Sequence, residues 1–142
     1  MDDLFKLAND LQKLSKSAKQ TIEKEVSKNS KLIQAQAKAL APVDTGNLRN
    51  NITTQTEWNG NTCTGIISCD VEYGPYVEFG TGIYSTLGMG RQTPWVYKSK
   101  DGFKYTQGQQ PQPFLFPAYN AEINNVINNI FNMLGGILKW LI

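Results

Sequence analysis

The stretch Leu48-Arg49-Asn50-Asn51-Ile52-Thr53-Thr54-Gln55-Thr56-Glu57, followed by Asn59-Gly60 and by Thr62-Cys63-Thr64-Gly65-Ile66-Ile67-Ser68-Cys69-Asp70-Val71, decides the class of fold. Leu48, Asn50, Ile52, Thr54 and Thr56 alternate with Arg49, Asn51, Thr53, Gln55 and Glu57, the period-two pattern of a strand with two unlike faces. Asn59-Gly60 supplies the positive-φ pair of a type I′ turn, and 62–71 returns as a second strand. With that turn setting the register, Ile52 faces Ile67 and Thr56 faces Cys63. One face then carries Leu48, Ile52, Cys63, Ile67, Cys69 and Val71. The first hairpin is placed at 46–72.

Before the hairpin the pattern changes period. Leu4, Leu7, Leu11, Leu14, Ala18, Ile22, Val26, Ile33, Ala37 and Leu40 draw one stripe at three-four spacing, which predicts a helix over 1–40. Uninterrupted, it would be close to 60 Å long at about 1.5 Å per residue, longer than a domain of this size is wide. The stripe lapses at Asn29-Ser30, so the helix is expected to break there or to project onto a neighbouring subunit. Ala41-Pro42 ends it, because the residue before proline is pushed out of the α region.

After the hairpin, Gly80, Gly82, Gly88 and Gly90 mark a mobile Gly-rich loop over 80–94. Trp95, Val96, Tyr97, Phe103 and Tyr105 around Lys100-Asp101-Gly102 predict a second hairpin over 95–107. A final helix is expected over 117–134, opened by Pro117 in its first turn. Its stripe runs Ile123, Ile127, Ile130, Leu134, Ile137 and Leu141, with Asn124, Asn125, Asn128, Asn129 and Asn132 largely off it. Gly135-Gly136 weakens the helix beyond, so the apolar tail Ile137–Ile142 is expected to bend or fray and to offer a docking surface. The expected fold is therefore α+β: a small antiparallel β-sheet built from two hairpins, flanked by a long N-terminal helix and a C-terminal helix. The 142 residues suit a single domain over 1–142.

Net charge is only +2. Lys6, Lys13, Lys16, Lys19, Lys24, Lys28, Lys31 and Lys38 nevertheless outnumber Asp2, Asp3, Asp10, Glu23 and Glu25 in the first forty residues. Such a helix either presents a solvated Lys face or touches nucleic acid or an acidic partner. Cys63 and Cys69, about 20 Å apart on one extended strand, are too far apart for a disulfide and read as free thiols. The Met1-Asp2-Asp3 start has no apolar region behind it, so no signal peptide is expected. The apolar tail is too short for a membrane span.

Chemistry is sparse. There is no His, which removes the commonest general base and metal ligand near neutral pH. The cysteines have neither a CxxC spacing nor a His partner. Gly80-Thr81-Gly82 and Gly88-Met89-Gly90 lack the strand-to-helix context of a phosphate loop. Glu72 and Glu78 form no recognisable acid/base pair. No catalytic, cofactor-binding or metal-binding residue is assigned, no cofactor is expected, and the chain reads as a non-enzyme.

Three local patterns remain. Ala41-Pro42-Val43-Asp44-Thr45-Gly46-Asn47-Leu48-Arg49-Asn50-Asn51-Ile52 combines a helix stop, an Asp able to cap a turn, a Gly for positive φ and a strand start. Val71-Glu72-Tyr73-Gly74-Pro75-Tyr76-Val77-Glu78-Phe79-Gly80-Thr81-Gly82 packs aromatics around a short turn or helical segment. Pro111-Gln112-Pro113-Phe114-Leu115-Phe116-Pro117-Ala118 leads apolar anchors into the last helix. In this order, over residues 35 to 125, the patterns resemble the head-tail joining and tail-completion (neck) proteins of long-tailed bacteriophages and prophages, also called minor capsid or minor tail proteins.

The resemblance implies a structural virion subunit that oligomerises with itself into a ring, expected to be a hexamer, at the head-tail interface or tail end. Its partners would be an adjacent head-tail connector or stopper and a tail terminator or tail tube protein. Transient contact with phage DNA is allowed, and no membrane is involved. The host cytoplasm before assembly and the virion afterwards are the expected locations. The motif residues carried over are Pro42, Asp44, Thr45, Gly46, Leu48, Arg49, Tyr73, Tyr76, Glu78, Gly80, Thr81, Pro113, Phe114 and Pro117. They read as architectural: Gly46 and Gly80 for backbone geometry, Leu48 and Phe114 for core, Asp44 for turn capping. Arg49 and Glu78 stand apart as a candidate charge-assisted pair, within a subunit or across the ring. Two other readings compete: a nucleic-acid-binding module using the basic helix with Tyr and Trp for stacking, and a prophage-borne toxin or inhibitor directed at the host.

Overall fold

A computed structural model describes residues 2–141, with side chains as far as Lys139. The chain is α+β. Helix α1 (Asp2–Leu40) is followed by a single helical turn α2 (Asn47–Asn50), strands β1 (Ile52–Asn59) and β2 (Thr62–Cys69), and a short helix α3 (Gly74–Phe79). A 3-10 turn at Gly82–Tyr84, strands β3 (Trp95–Ser99) and β4 (Gly102–Thr106), and helix α4 (Leu115–Leu141) complete it. The two antiparallel hairpins form separate two-stranded sheets. β1–β2 lies against α1, whereas β3–β4 stands out as an arm whose Val96, Tyr97, Phe103 and Tyr105 are exposed.

The expected break in α1 does not occur. Asn29 and Ser30, where the apolar stripe lapses, are buried within a continuous helix. Each satisfies its polar group locally: Asn29 Nδ2 donates to Glu25 O at 2.7 Å and Ser30 Oγ donates to Val26 O at 2.8 Å. Asn29 Oδ1 in turn accepts from Asn129 Nδ2 of α4 at 2.8 Å. The lapse is thus a polar contact that fixes how the two helices align, as a buried Asn does in a helical seam. Gly65 of β2 packs under Ser30, where an added Cβ would lie 2.1 Å from Ser30 Oγ and 3.1 Å from Val26 Cγ1. Only a glycine lets the helix cross the ribbon this closely.

The hairpin keeps the expected face but not the expected partners. Ile52 is opposite Cys69, Thr54 opposite Ile67, and Trp58 opposite Cys63. The turn residues are Gly60 and Asn61 instead of Asn59 and Gly60: Gly60 has φ 61° and no non-glycine residue among the described ones has positive φ, the pattern of a type II′ turn. Moving the turn by one residue moves each partner by two, which preserves the inward face. Leu48 to Asn50, expected at the head of the first strand, form α2 instead. Gly46 at φ 84° reverses the chain, and Asn50 N then donates to Gly46 O at 2.9 Å.

The core gathers Ile33, Ala37 and Ala41 from α1 and its end with Leu48, Ile52, Val77, Phe114 and Ala118. α4 starts at Leu115, not Pro117, and continues through Gly135-Gly136 to Leu141. Its expected single stripe is two. Ile123, Val126, Ile130, Met133 and Ile137 are half-buried, whereas Ile127, Phe131, Leu134 and Leu138 are exposed. The Leu141 side chain and Ile142 of the expected tail lie outside the described residues. No helix among the described residues is long and apolar enough to cross a membrane.

Candidate functional site

The first two motifs face each other across a cleft of about 510 Å³. One wall is the turn after α1: Pro42, Val43, Asp44, Thr45, Gly46, Asn47 and Leu48. The other is α3 and its flanks: Tyr73, Tyr76, Val77 and Thr81, with Gln109 and Gln112 closing one side. Asn47 Nδ2 donates to the Tyr73 hydroxyl at 3.0 Å, a direct link between the walls. Eight motif residues thus meet here: Pro42, Asp44, Thr45, Gly46, Leu48, Tyr73, Tyr76 and Thr81. Among them only Leu48 belongs to the buried core.

The third motif is joined to the second from behind. Glu78, only 7% exposed, accepts the Phe114 N–H at 2.8 Å and the Leu115 N–H at 2.9 Å on Oε2, and the Phe116 N–H at 2.9 Å on Oε1. A helix leaves its first N–H groups without partners, and the next residue, Pro117, has none to satisfy. Glu78 therefore caps α4 completely from another element, and its charge suits the positive end of the helix dipole. This explains why α4 begins at Leu115: Pro117 sits inside the first turn that the carboxylate organises. Phe114 is fully buried at this junction, and Pro113 is exposed ahead of it.

Arg49 and Glu78 do not pair within the chain. The carboxylate is committed to α4, and Arg49 Nε is buried without a hydrogen-bond partner among the described residues. Asp44 is likewise not a turn cap. The Asn47 N–H is turned toward Thr45 Oγ1 at 3.4 Å, and Asp44 stands exposed on the cleft rim. Gly80, with φ 75°, lies where an added Cβ would meet Gln109 O and Pro111 at 2.9 Å. Alongside, Thr81 N donates to Gln109 O at 2.9 Å, Gln109 N donates to Thr81 Oγ1 at 2.8 Å, and Gln112 N donates to Val77 O at 2.8 Å. These bonds bring Gln109 and Gln112 to the cleft. Sequence reading passed over them because an amide in a Pro- and Gln-rich segment carries no distinctive chemistry.

The cleft holds hydroxyls, amides and one carboxylate over a partly apolar floor, and no base adjoins a nucleophile. No cluster of three or more metal-ligating side chains occurs among the described residues. Both cysteines are free and lie on the ribbon, the Cys69 thiol directed at the carbonyl of the cleft residue Leu48 at 3.9 Å. Burial, and secondarily the charge of Glu23, push the Cys63 thiol above its ordinary value. Burial also raises Cys69, assisted by Asp70 and partly offset by a hydrogen bond with the Val71 backbone. Such an arrangement offers hydrogen-bonding groups over a partly apolar floor.

Residues 5–80, more than half of the chain, match the family described as "Bacteriophage HK97-gp10, putative tail-component". No curated protein and no solved structure is significantly similar to the chain. The matched region takes in most of α1, the ribbon and the cleft walls as far as Val77, and stops before Thr81 and the third motif. The chain belongs to the HK97-gp10-like family of bacteriophage tail components and has a structural role in the virion.

Proposed function

We propose that the chain is a head-tail joining or tail-completion subunit that closes into a ring of its own copies and bridges a connector or stopper on one side to a tail terminator or tail tube protein on the other. The observation that carries this reading is that large apolar side chains stand in water at three separate places: the N-terminal third of α1, the outer face of α4, and the β3–β4 arm. A finished monomer rarely leaves several such patches open. Unlike patches on one subunit suit the heterologous contacts that generate rings. The segment Leu87–Pro94, exposed over most of its length, would order on docking.

The nucleic-acid reading has less support. Lys19 lies 5.6 Å from the Trp58 ring centroid, and Trp58 Nε1 is directed at Glu23 Oε2 at 3.4 Å. A cation and a ring that could serve a nucleic acid are thus engaged with each other. The test is genetic and physical together. A prophage lacking this gene should yield filled heads and separate tails, restored by the gene in trans, and the purified protein should sediment as a discrete oligomer. Joined, infectious particles in its absence would overturn the proposal.

A further inference from the structure

α1 and α4 pack antiparallel: Asn29 bonds Asn129, and Ala37 and Ala41 share a core with Ala118. The apolar seam of α1 is buried or half-buried from Ala37 back to Ala18, between α4 and the β1–β2 ribbon. The same seam then continues uncovered through Leu14, Leu11, Leu7 and Leu4. α4, for its part, has spent one stripe on its own α1 and keeps Ile127, Phe131, Leu134 and Leu138 in water. Leu4 to Leu14 and Ile127 to Leu138 each span about 15 Å at helical rise, and both repeat at the three-four spacing of a helix-helix seam. α1 is one continuous helix, so its N-terminal stripe does not fold back onto its own α4.

We infer that the Leu4–Leu14 stripe of one copy docks on the Ile127–Leu138 stripe of a second copy. The occupant's identity follows from continuity and charge. The contact prolongs a seam that this chain already fills with its own α4, so the chemistry of the pairing is present within the molecule. With Leu4 and Leu11 at the first core position of each heptad and Leu7 and Leu14 at the fourth, the flanking positions are Asp3, Asp10, Ala8 and Ser15. Two α1 stripes packed antiparallel along their whole length would set Asp10 of one copy against Asp10 of the other. The outer stripe of α4 is flanked by neutral Asn124, Asn128 and Gly135, and the lysines of α1 fall off the seam. Gly135, with open space where a Cβ would stand, leaves a notch between Phe131 and Leu138 for a leucine knob. One head-to-tail contact thereby covers both stripes on successive subunits, and by its heterologous nature it propagates from copy to copy and closes into a ring when the rotation per subunit divides a full turn. The inference rests on the ring reading above and names the surfaces that join.

The experiment is a double-mutant cycle on the full chain. Leu11 and Phe131 are 57% and 67% exposed, so Leu11→Glu and Phe131→Glu should leave the circular dichroism spectrum and the unfolding midpoint of the monomer unchanged. Each should weaken self-association in sedimentation by about tenfold or more. The double variant should be no weaker than the worse single one, because both remove the same contact. In a second measurement, Leu11→Cys and Phe131→Cys chains, each carrying Cys63→Ser and Cys69→Ser, should form a mixed disulfide on oxidation. Multiplicative losses in the double variant, or an oligomer indifferent to both charges, overturns this inference and leaves the ring reading standing. A chain that stays monomeric at every concentration overturns both.

Discussion

Glu78 and Phe114 are 36 residues apart, yet the carboxylate of the first accepts the backbone N–H of the second at 2.8 Å inside the core. The same carboxylate takes the Leu115 and Phe116 N–H groups, so one side chain sets both the start and the direction of α4. Removing it orphans three donors, one buried and two part-buried. Glu78→Ala should cost about 3 kcal/mol, measured by urea unfolding, given the usual strength of hydrogen bonds to a charged acceptor. Glu78→Gln should fall between the two, since its amide nitrogen brings donors to a site lined with donors. A loss below about 0.5 kcal/mol for the alanine variant would show that the cap contributes nothing beyond ordinary surface substitutions.

The close crossing of α1 over the ribbon gives a second test. A Cβ on Gly65 would collide with Ser30 Oγ, which is held by its bond to Val26 O at 2.8 Å. Gly65→Ala should destabilise by about 1–3 kcal/mol, as overpacking does. In a Ser30→Ala background that cost should shrink but not vanish, because the Ser30 Cβ stays at 3.5 Å from the new methyl while Val26 Cγ1 remains at 3.1 Å. Additive losses in the two single variants would place the helix farther from the ribbon.

These two sites also show what was readable beforehand. The hairpin's inward face and the seam of α1 followed from apolar periodicity, which depends on neighbours along the chain. Asn29 and Ser30 broke that pattern and read as an interruption. Their partners, Asn129 and Gly65, come from distant elements, and no local rule pairs them. Glu78 stood out as a charge among aromatics, but its partners are backbone N–H groups, which leave no mark in a sequence. Arg49 was then the only opposite charge in view. Likewise Gly82 read as the sign of a mobile loop; an added Cβ there would lie 2.0 Å from Gln107 O, so it serves close backbone approach at the loop's base.

The free thiols report on the ribbon. Both are held above their ordinary value, chiefly by burial, so the thiolate is scarce at neutral pH. Alkylation by iodoacetamide should be slower in the folded protein than in urea and should rise only at a pH above that of a free cysteine. Because the folded values are raised, the thiols stabilise the fold below their unfolded value, and that contribution is lost as pH climbs through the folded value. Glu23→Gln removes a charge that opposes the Cys63 thiolate, so it should speed labelling of Cys63 and leave Cys69 unchanged. Equal acceleration of both would mean that the variant loosens the ribbon as a whole.

The β3–β4 arm separates stability from assembly. Its strands pair Val96 with Tyr105 and Lys98 with Phe103, and a lone two-stranded hairpin is marginal in water without a surface to lie on. Phe103 is 78% exposed and supports no other element. Phe103→Ser should therefore shift the stability of the isolated chain by less than about 0.5 kcal/mol. In the virion the same side chain is expected to be covered by a neighbour, so plasmid-borne Phe103→Ser should fail to restore joined particles to a prophage lacking the gene. A Lys100→Ser control at the hairpin tip distinguishes loss of an aromatic anchor from general disturbance of the arm. Full restoration by the Phe103 variant would mean that the arm faces solvent in the particle too, leaving the helical stripes to hold the subunit in place.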